Sequence, residues 1–203
     1  MIEILNFPQN SSEWFEARRG IPTASEFGSI LAKGEGKTRA SYMRKLAAEI
    51  ITGEIGESFT SPAMDRGKEM EAEARKYYAF LTDSEPELVG FIRNGNKGGS
   101  PDSLIGDNGL LEIKTMRGDV LIEVIMKDEF PNVHKAQCQG NLLVSEREWI
   151  DLQVYWPKMP RFCKRAYRDE AYLRTLASEV DRFSDELATL VERIRAYGDE
   201  RAA

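Results

Sequence analysis

The stretch from Gly99 to Thr115 (Gly-Ser-Pro-Asp-Ser-Leu-Ile-Gly-Asp-Asn-Gly-Leu-Leu-Glu-Ile-Lys-Thr) sets the tightest limits on the architecture of this chain. Asn108-Gly109 between two short apolar runs is a strong hairpin signal, so Gly106 to Gly109 predicts a turn joining two antiparallel strands. The side-chain period of two then places Leu111 and Ile113 on one face of the second strand, and Glu112 and Lys114 on the other. Any short hairpin here sets Asp102 within a position or two of Glu112. Two carboxylates that close repel each other unless a cation sits between them. Hard oxygen ligands beside a lysine suit magnesium or manganese and a phosphate ester rather than zinc.

Taken singly, these residues have plainer readings. Asp102 is a turn former after Pro101, and Glu112 and Lys114 form a solvated strand face with a weak ion pair. Taken together, Pro-Asp followed after nine residues by Glu-x-Lys resembles the PD-(D/E)xK nuclease signature. That signature is short, and alone it recurs by chance.

A chain of 203 residues fits one domain with a substantial core, spanning residues 1–203, and 41% apolar with 31% charged residues is ordinary for a globular protein. No apolar run reaches the ~18 residues that would span a bilayer, and no basic and apolar leader opens the chain, so a cytoplasmic location is expected. Cys138 and Cys163 form no paired motif, which argues against a disulfide framework or a zinc site. With His134 as the single histidine, histidine-based metal or nucleophile chemistry is argued against as well. The net charge of −6 opposes tight binding to a phosphate backbone, although Arg161, Lys164, Arg165 and Arg168 bunch into a basic run.

Asn10-Ser-Ser-Glu13 has capping-box spacing and predicts a helix ending at Gly20. Thr23-Ala-Ser-Glu26 repeats that spacing and opens a helix with Phe27, Ile30 and Leu31 buried. Arg18, Arg19, Thr23 and Ser25 thereby cluster at a helix start, where free N–H groups favour an anion. Thr23 is read first as a cap and second as a DNA contact. Lys33 to Lys37 is a connecting loop without P-loop spacing. A helix follows over 38–51, with Tyr42, Leu46 and Ile50 on one face and Gly53 ending it. Ser61-Pro62 opens a long helix to about Leu81, charged mostly as solvated surface, with Glu71 and Arg75 as an i,i+4 pair. Glu87 to Arg93 reads as a strand and Asn94 to Gly99 as a turn. Gly118 to Lys127 reads as a helix or a strand, Asn132 to Val144 as a helix, and Trp149 to Trp156 as a strand ended by Pro157. Gln137 and Gln139 point in different directions, so at most one reaches a site. A closing helix over 169–198 carries Leu176, Val180, Phe183, Leu187, Leu190 and Ile194 as a packing stripe.

This order, with Trp14-x3-Arg18-x-Gly20, Thr23-Ala-Ser25, Gly67-Lys-x2-Glu71-x2-Ala74-Arg75, Ser100-Pro-Asp102, Leu111-Glu-Ile-Lys114 and Ala136-Gln-x-Gln139, closely resembles the YqaJ-type viral recombinases, the family of phage lambda exonuclease. The resemblance covers roughly residues 8–156. It implies an α+β fold with a restriction-endonuclease-like PD-(D/E)xK core, a central mixed sheet flanked by helices. It further implies that Asp102, Glu112, Glu71 and the Ile113 carbonyl hold two divalent metals, Mg2+ or Mn2+. Glu71 is preferred to Glu69 and Glu73 on this ground alone. Lys114 matches the catalytic lysine, Gln137 the glutamine at the site, and Arg18 and Ser25 the 5′-phosphate pocket. Arg117 matches a DNA-gripping arginine only loosely, because the chain is shorter there. His134 stands where the family prototype has an aromatic residue, and no role is assigned to it or to Gln139.

The resemblance implies a metal-dependent 5′-to-3′ exonuclease on linear double-stranded DNA. Such an enzyme digests one strand and leaves 3′ single-stranded tails for a single-strand annealing protein. It would act as a ring-shaped homotrimer of phage or prophage origin, with no membrane. Three channel faces around one duplex also ease the charge objection. The alternatives are an endonuclease of the same superfamily and a non-catalytic DNA-end-binding protein. The first has no use for a 5′-phosphate pocket at Arg18 and Ser25, and the second has no use for two acids and Lys114. Iron–sulfur nucleases of the superfamily need four cysteines, and two exclude them.

Overall fold

The computed structural model describes residues 1–32, 36–55 and 62–199. In chain order the elements are β1 (Ile2–Leu5), α1 (Ser12–Arg18), a 3-10 turn (Ala24–Glu26) leading into α2 (Phe27–Leu31), α3 (Lys37–Thr52) and α4 (Pro62–Thr82). Then come β2 (Pro86–Glu87), β3 (Phe91–Asn94), β4 (Lys97–Gly99), β5 (Ser103–Ile105) and β6 (Gly109–Thr115). The chain continues with α5 (Gly118–Lys127), a 3-10 turn (Asn132–His134), α6 (Lys135–Ser145), β7 (Trp149–Tyr155), β8 (Phe162–Tyr167) and α7 (Glu170–Asp199). The expected α+β class is what forms. A five-stranded mixed sheet, in the order β2-β5-β6-β7-β8, has its one parallel pair at β6 and β7. A three-stranded antiparallel sheet, β1-β3-β4, stands beside it.

The central hairpin forms in the predicted sense. Ser103 pairs with Leu111, Leu104 with Leu110 and Ile105 with Gly109, and one further step of that register sets Asp102 opposite Glu112. Leu111 and Ile113 face α4, where they pack with Ala74 and Tyr78. Leu110 faces the other way into the main core, with Leu142 and Val144 of α6 and Ile150 and Leu152 of β7. The period-two alternation thus sends Glu112 to the α6 side of the sheet. It arrives there buried, not solvated.

Several expectations are corrected. The first helix is capped by Ser11 rather than Asn10: Ser11 has the extended backbone a cap requires and accepts the Trp14 N–H at 3.2 Å. Asn10 instead takes a left-handed conformation at φ 67°, which asparagine tolerates. The capping box at Thr23 does not form, for reasons of side-chain partners given below. Residues 87–93 are not one strand, because the chain leaves β2 in one sheet and enters β3 in the other at Gly90. A Cβ there would lie 2.2 Å from the Phe7 carbonyl oxygen, so only glycine permits the crossing. The turn over 94–99 shrinks to Gly95-Asn96, and Lys97-Gly98-Gly99 becomes β4 despite glycine's poor strand propensity. Gly98 lies flat against the Phe91 ring, where a Cβ would meet Cζ at 2.0 Å. Strand β1 was not expected at all, and neither was β8. Gly118–Lys127 resolves as a helix. Ser61 and residues 33–35 lie outside the described residues.

Three of the four basic residues at 161–168 are already engaged by acids. Lys164 pairs with Asp128 at 2.8 Å and Arg168 with Glu170 at 2.7 Å, and Arg165 donates twice to buried Asp151, at 2.8 and 2.9 Å. Asp151 also accepts the Tyr78 hydroxyl at 2.7 Å, which ties β7, β8 and α4 together. Arg165→Met strands that buried carboxylate. It is expected to cost about 3 kcal/mol in chemical denaturation, with no change in where Asp102 and Glu112 sit.

Helix α7 packs on α2, α3 and α6 through Leu173, Leu176, Val180, Phe183, Leu187 and Val191. Leu190 packs partly buried against this core as expected, but the stripe then ends on Val191 rather than Ile194, which is exposed. Phe183 stacks on Tyr42 of α3 with ring centroids 5.5 Å apart, and the Tyr42 hydroxyl accepts the Thr23 N–H at 3.1 Å. In this way the core holds the segment that carries Thr23 and Ser25.

Candidate active site

Ten residues from six places in the chain line a single cleft of about 230 Å3: Gln9, Trp14, Arg18, Ser25, Ser100, Asp102, Glu112, Lys114, Gln137 and Asn141. All three hairpin residues singled out in the sequence are there, and so are Arg18, Ser25 and Gln137.

At one end of the cleft lie the carboxylates. Asp102 accepts the Ile113 N–H and donates its own N–H to the Leu111 carbonyl at 3.0 Å, so it is fixed to β6 at two points. The Glu112 carboxylate has three donors. Lys114 Nζ stands 2.8 Å and Gln137 Nε2 2.6 Å from its Oε1, while Asn141 Nδ2 reaches Oε2 at 3.2 Å. Burial, reinforced by the charges of Glu112 and Glu71, holds Asp102 well above the usual carboxylate range. Burial raises Glu112 too, against the opposing pull of Lys114 and Gln137. Burial alone would lower Lys114, but its bond to Glu112 and the nearby Asp102 outweigh that and hold it above its ordinary value.

Glu71 of α4 does not line this cleft: it lies in an adjoining cavity that Asp102 also borders, and its carboxylate is paired with Arg75. Arg75 in turn donates to Ser103 Oγ at 2.9 Å, pinning α4 to the start of β5. Among the described residues no three His, Cys, Asp or Glu side chains converge into a ready-made cage. The donor set still fits magnesium, which is bound through one or two carboxylates and keeps several waters. Two acids facing each other with raised proton affinity are also what a divalent cation would relieve.

At the other end lies a cation without a carboxylate partner. Among the described residues, Arg18 hydrogen-bonds only to hydroxyls, Ser100 Oγ at 3.1 Å and Thr23 Oγ1 at 3.5 Å. Its guanidinium lies 4.0 Å from the centre of the Trp14 ring, which donates through Nε1 to the same Ser100 oxygen at 3.0 Å. Burial lowers Arg18 to about 10, so it stays charged at neutral pH. Thr23 Oγ1 lies 3.2 Å from Ser25 Oγ. These contacts explain the missing capping box, since the Thr23 hydroxyl is drawn to Arg18 and Ser25 rather than to the helix. Thr23 is buried and does not line the cleft.

The other candidates fall outside the cleft. Arg117 is exposed, caps the start of α5 and pairs with Asp119. Gln139 is buried and structural. It donates to the Tyr167 carbonyl at 2.8 Å and accepts the Asp169 N–H at 3.0 Å, so only Gln137 of the two reaches the site. His134 is held to about 4 by burial and by the Lys114 charge, which keeps it neutral at physiological pH. Sequence reasoning missed the roles of Ser100 and Asn141. Asn141 could have been found, since it lies four residues after Gln137 and therefore on the same helix face.

Comparison with known proteins shows the family and the fold. A family model described as the YqaJ-like viral recombinase domain matches residues 13–148, more than half of the chain. The chain is similar to the alkaline exonuclease LHK-Exo from Laribacter hongkongensis, at 31% identity over 94% of this chain and 99% of that one, with a TM-score of 0.86. LHK-Exo in complex with dAMP gives 32% identity, the same coverage and a TM-score of 0.87. A phage-related exonuclease from Haemophilus somnus 129PT shares the fold at 12% identity and a TM-score of 0.63, over 86% of this chain and 96% of that one. No curated protein sequence matches the chain. No helix among the described residues is long and apolar enough to cross a membrane. Matched over residues that include both ends of the cleft, the chain belongs to the YqaJ-like viral recombinase family.

Proposed function

We propose that the protein is a metal-dependent exonuclease that shortens one strand of linear duplex DNA from its 5′ end. The observation that carries this reading is that an arginine with no carboxylate partner among the described residues and a pair of carboxylates with a lysine share one cleft of about 230 Å3. Such a cleft takes a terminal phosphate at one end and a phosphodiester at the other. Family membership and the likeness to alkaline exonucleases support it.

Asp102 and Glu112, with the Ile113 carbonyl and Glu71, would hold two Mg2+ or Mn2+ ions, which when bound supply an activated water and positive charge against the leaving oxygen. The remaining work falls to the chain's own groups. Arg18, with the Ser25 and Ser100 hydroxyls, binds the 5′ phosphate and fixes how far the strand enters. Gln137 and Asn141 hold the Glu112 carboxylate in one orientation. Lys114, charged across the physiological range, orients the nucleophile and offsets charge developing on the phosphoryl oxygens. The tails left behind would serve a single-strand annealing protein, and a homotrimeric ring would enclose the duplex.

Lys114→Ala separates this reading from that of a structural ion pair. Turnover should fall by about 10²–10³-fold, the range for loss of one preorganised donor, while DNA affinity changes little. Single-turnover rates beside a binding titration check this, and a near-normal rate would leave Lys114 as a mere partner of Glu112. The function as a whole is tested by incubating linear duplex with magnesium and resolving the two strands. Loss of nucleotides from the 5′ ends with the 3′ termini intact is expected, and shortening from the 3′ end would overturn it.

A further inference from the structure

We infer that Asn141 is a positioning residue that orients Glu112 for metal binding, an inference that rests on the metal-dependent reading above. Asn141 is 2% exposed, and its Nδ2 donates to Glu112 Oε2 at 3.2 Å. The other oxygen of that carboxylate is held by Lys114 and Gln137, so among the described residues Asn141 alone fixes Oε2. Its own Oδ1 is buried and has no hydrogen-bond partner among the described residues. A buried, unpaired acceptor is costly, and a leucine, with the same branching and no polar atom, would avoid that cost. An asparagine here is therefore explained by what its donor does to Glu112 rather than by packing.

The backbone around it is built to bring that donor in. Gly99 leaves room for the amide, since a Cβ there would lie 2.5 Å from Asn141 Oδ1. Gly140 lets α6 close on the segment that carries Ser25, since a Cβ there would lie 2.6 Å from Phe27 Cδ2 and 3.1 Å from Ala24 Cβ. Ala24 also stands 3.4 Å from the Cβ position of Gly99. The three small residues seat α6, β4 and the phosphate-binding turn against one another, and Asn141 is where that junction touches a carboxylate. The amide orientation is chemically determined: with Oδ1 turned to Glu112, two acceptors would face each other.

The test is Mn2+ binding to the full chain, followed by electron paramagnetic resonance of the free ion, for wild type, Asn141→Leu and Gln139→Leu. Gln139 is the control, a buried amide on the same helix that serves only the Tyr167 and Asp169 backbone. Residues that orient metal ligands change affinity by about 10–100-fold, so Asn141→Leu should weaken Mn2+ at least about tenfold while Gln139→Leu leaves it unchanged. Asn141→Ser, which keeps a donor in a smaller volume, should recover part of the loss and serves as the second variant if the leucine chain does not fold. Equal Mn2+ affinity in wild type and the Asn141 variants would overturn the inference alone. Failure of the wild-type chain to bind Mn2+ would overturn it together with the metal-dependent reading.

Discussion

Asp102→Ala and Glu112→Ala are each expected to abolish cleavage without unfolding the chain. A bound divalent cation is worth several kcal/mol of transition-state stabilisation, and at 1.36 kcal/mol per decade a loss of that size lowers the rate at least about a thousandfold. The structural cost is small by comparison. Asp102→Ala leaves the buried Ile113 N–H without its acceptor, a cost of about 1–3 kcal/mol, but removes a carboxylate that is raised by burial and by the charges of Glu112 and Glu71. In EDTA its melting temperature should hold or rise. The pH dependence has a definite sign. A carboxyl raised in the folded state makes that state bind more protons than the unfolded chain, so its stabilising contribution is full below the ordinary carboxylate range and is lost as pH rises through the raised value. In the metal-free wild type the Asp102 contribution should therefore fall as pH climbs above the ordinary carboxylate range, and Asp102→Ala should remove that component of the slope. Melting curves in EDTA across that range, beside a nuclease assay in magnesium, check both parts. Cleavage that survives in both variants would remove the carboxylates from the chemistry.

Arg18→Ala should erase most of any preference for a phosphorylated 5′ end. The guanidinium already has its desolvation cost met within the fold, and its bonds to Ser100 and Thr23 involve neutral hydroxyls. A terminal phosphate would convert these weak contacts into charge-assisted bonds, each worth about 1.5–3 kcal/mol, or roughly 10- to 150-fold in rate or affinity. The variant should retain slow activity on 5′-hydroxyl ends, because the carboxylates and Lys114 are untouched. Removing Arg18 also takes away the cation over Trp14, so a melting curve of the variant should accompany the assay. Equal loss on both kinds of end would make Arg18 a structural residue.

The hairpin and the meeting of Asp102 with Glu112 were legible because they rest on local rules. Asn-Gly marks a turn, and period two separates Leu111 from Glu112 whatever the rest of the chain does. Helices α3, α4 and α7 were legible from spacing and end signals for the same reason. The failures share a different cause, which is that tertiary contacts decided them. Lys97-Gly98-Gly99 has no strand propensity, and it pairs because the Phe91 ring and β3 are already there. Phe162–Tyr167 reads as a basic bunch because an edge strand can carry charge on its open side. Only the fold reveals that Arg165 and Lys164 are spent on Asp151 and Asp128. Thr23 has the spacing of a cap and loses that role to Arg18, a partner five residues away that no local rule supplies. At the site, Gln137 was reached through resemblance, whereas Asn141 follows from simple helix geometry once Glu112 is known to face α6.

The central claim is that a 5′-phosphate pocket and a phosphodiester-cleaving centre are two ends of one cleft. Its most direct test is the wild-type protein in magnesium on three substrates: linear duplex with 5′-phosphorylated ends, the same duplex with 5′-hydroxyl ends, and a covalently closed circle. Rapid release of nucleotides from the phosphorylated ends, markedly slower release from the hydroxyl ends and an intact circle are the predicted results. Equal rates on both linear substrates, or cutting of the circle, would contradict the claim and put an endonuclease in its place.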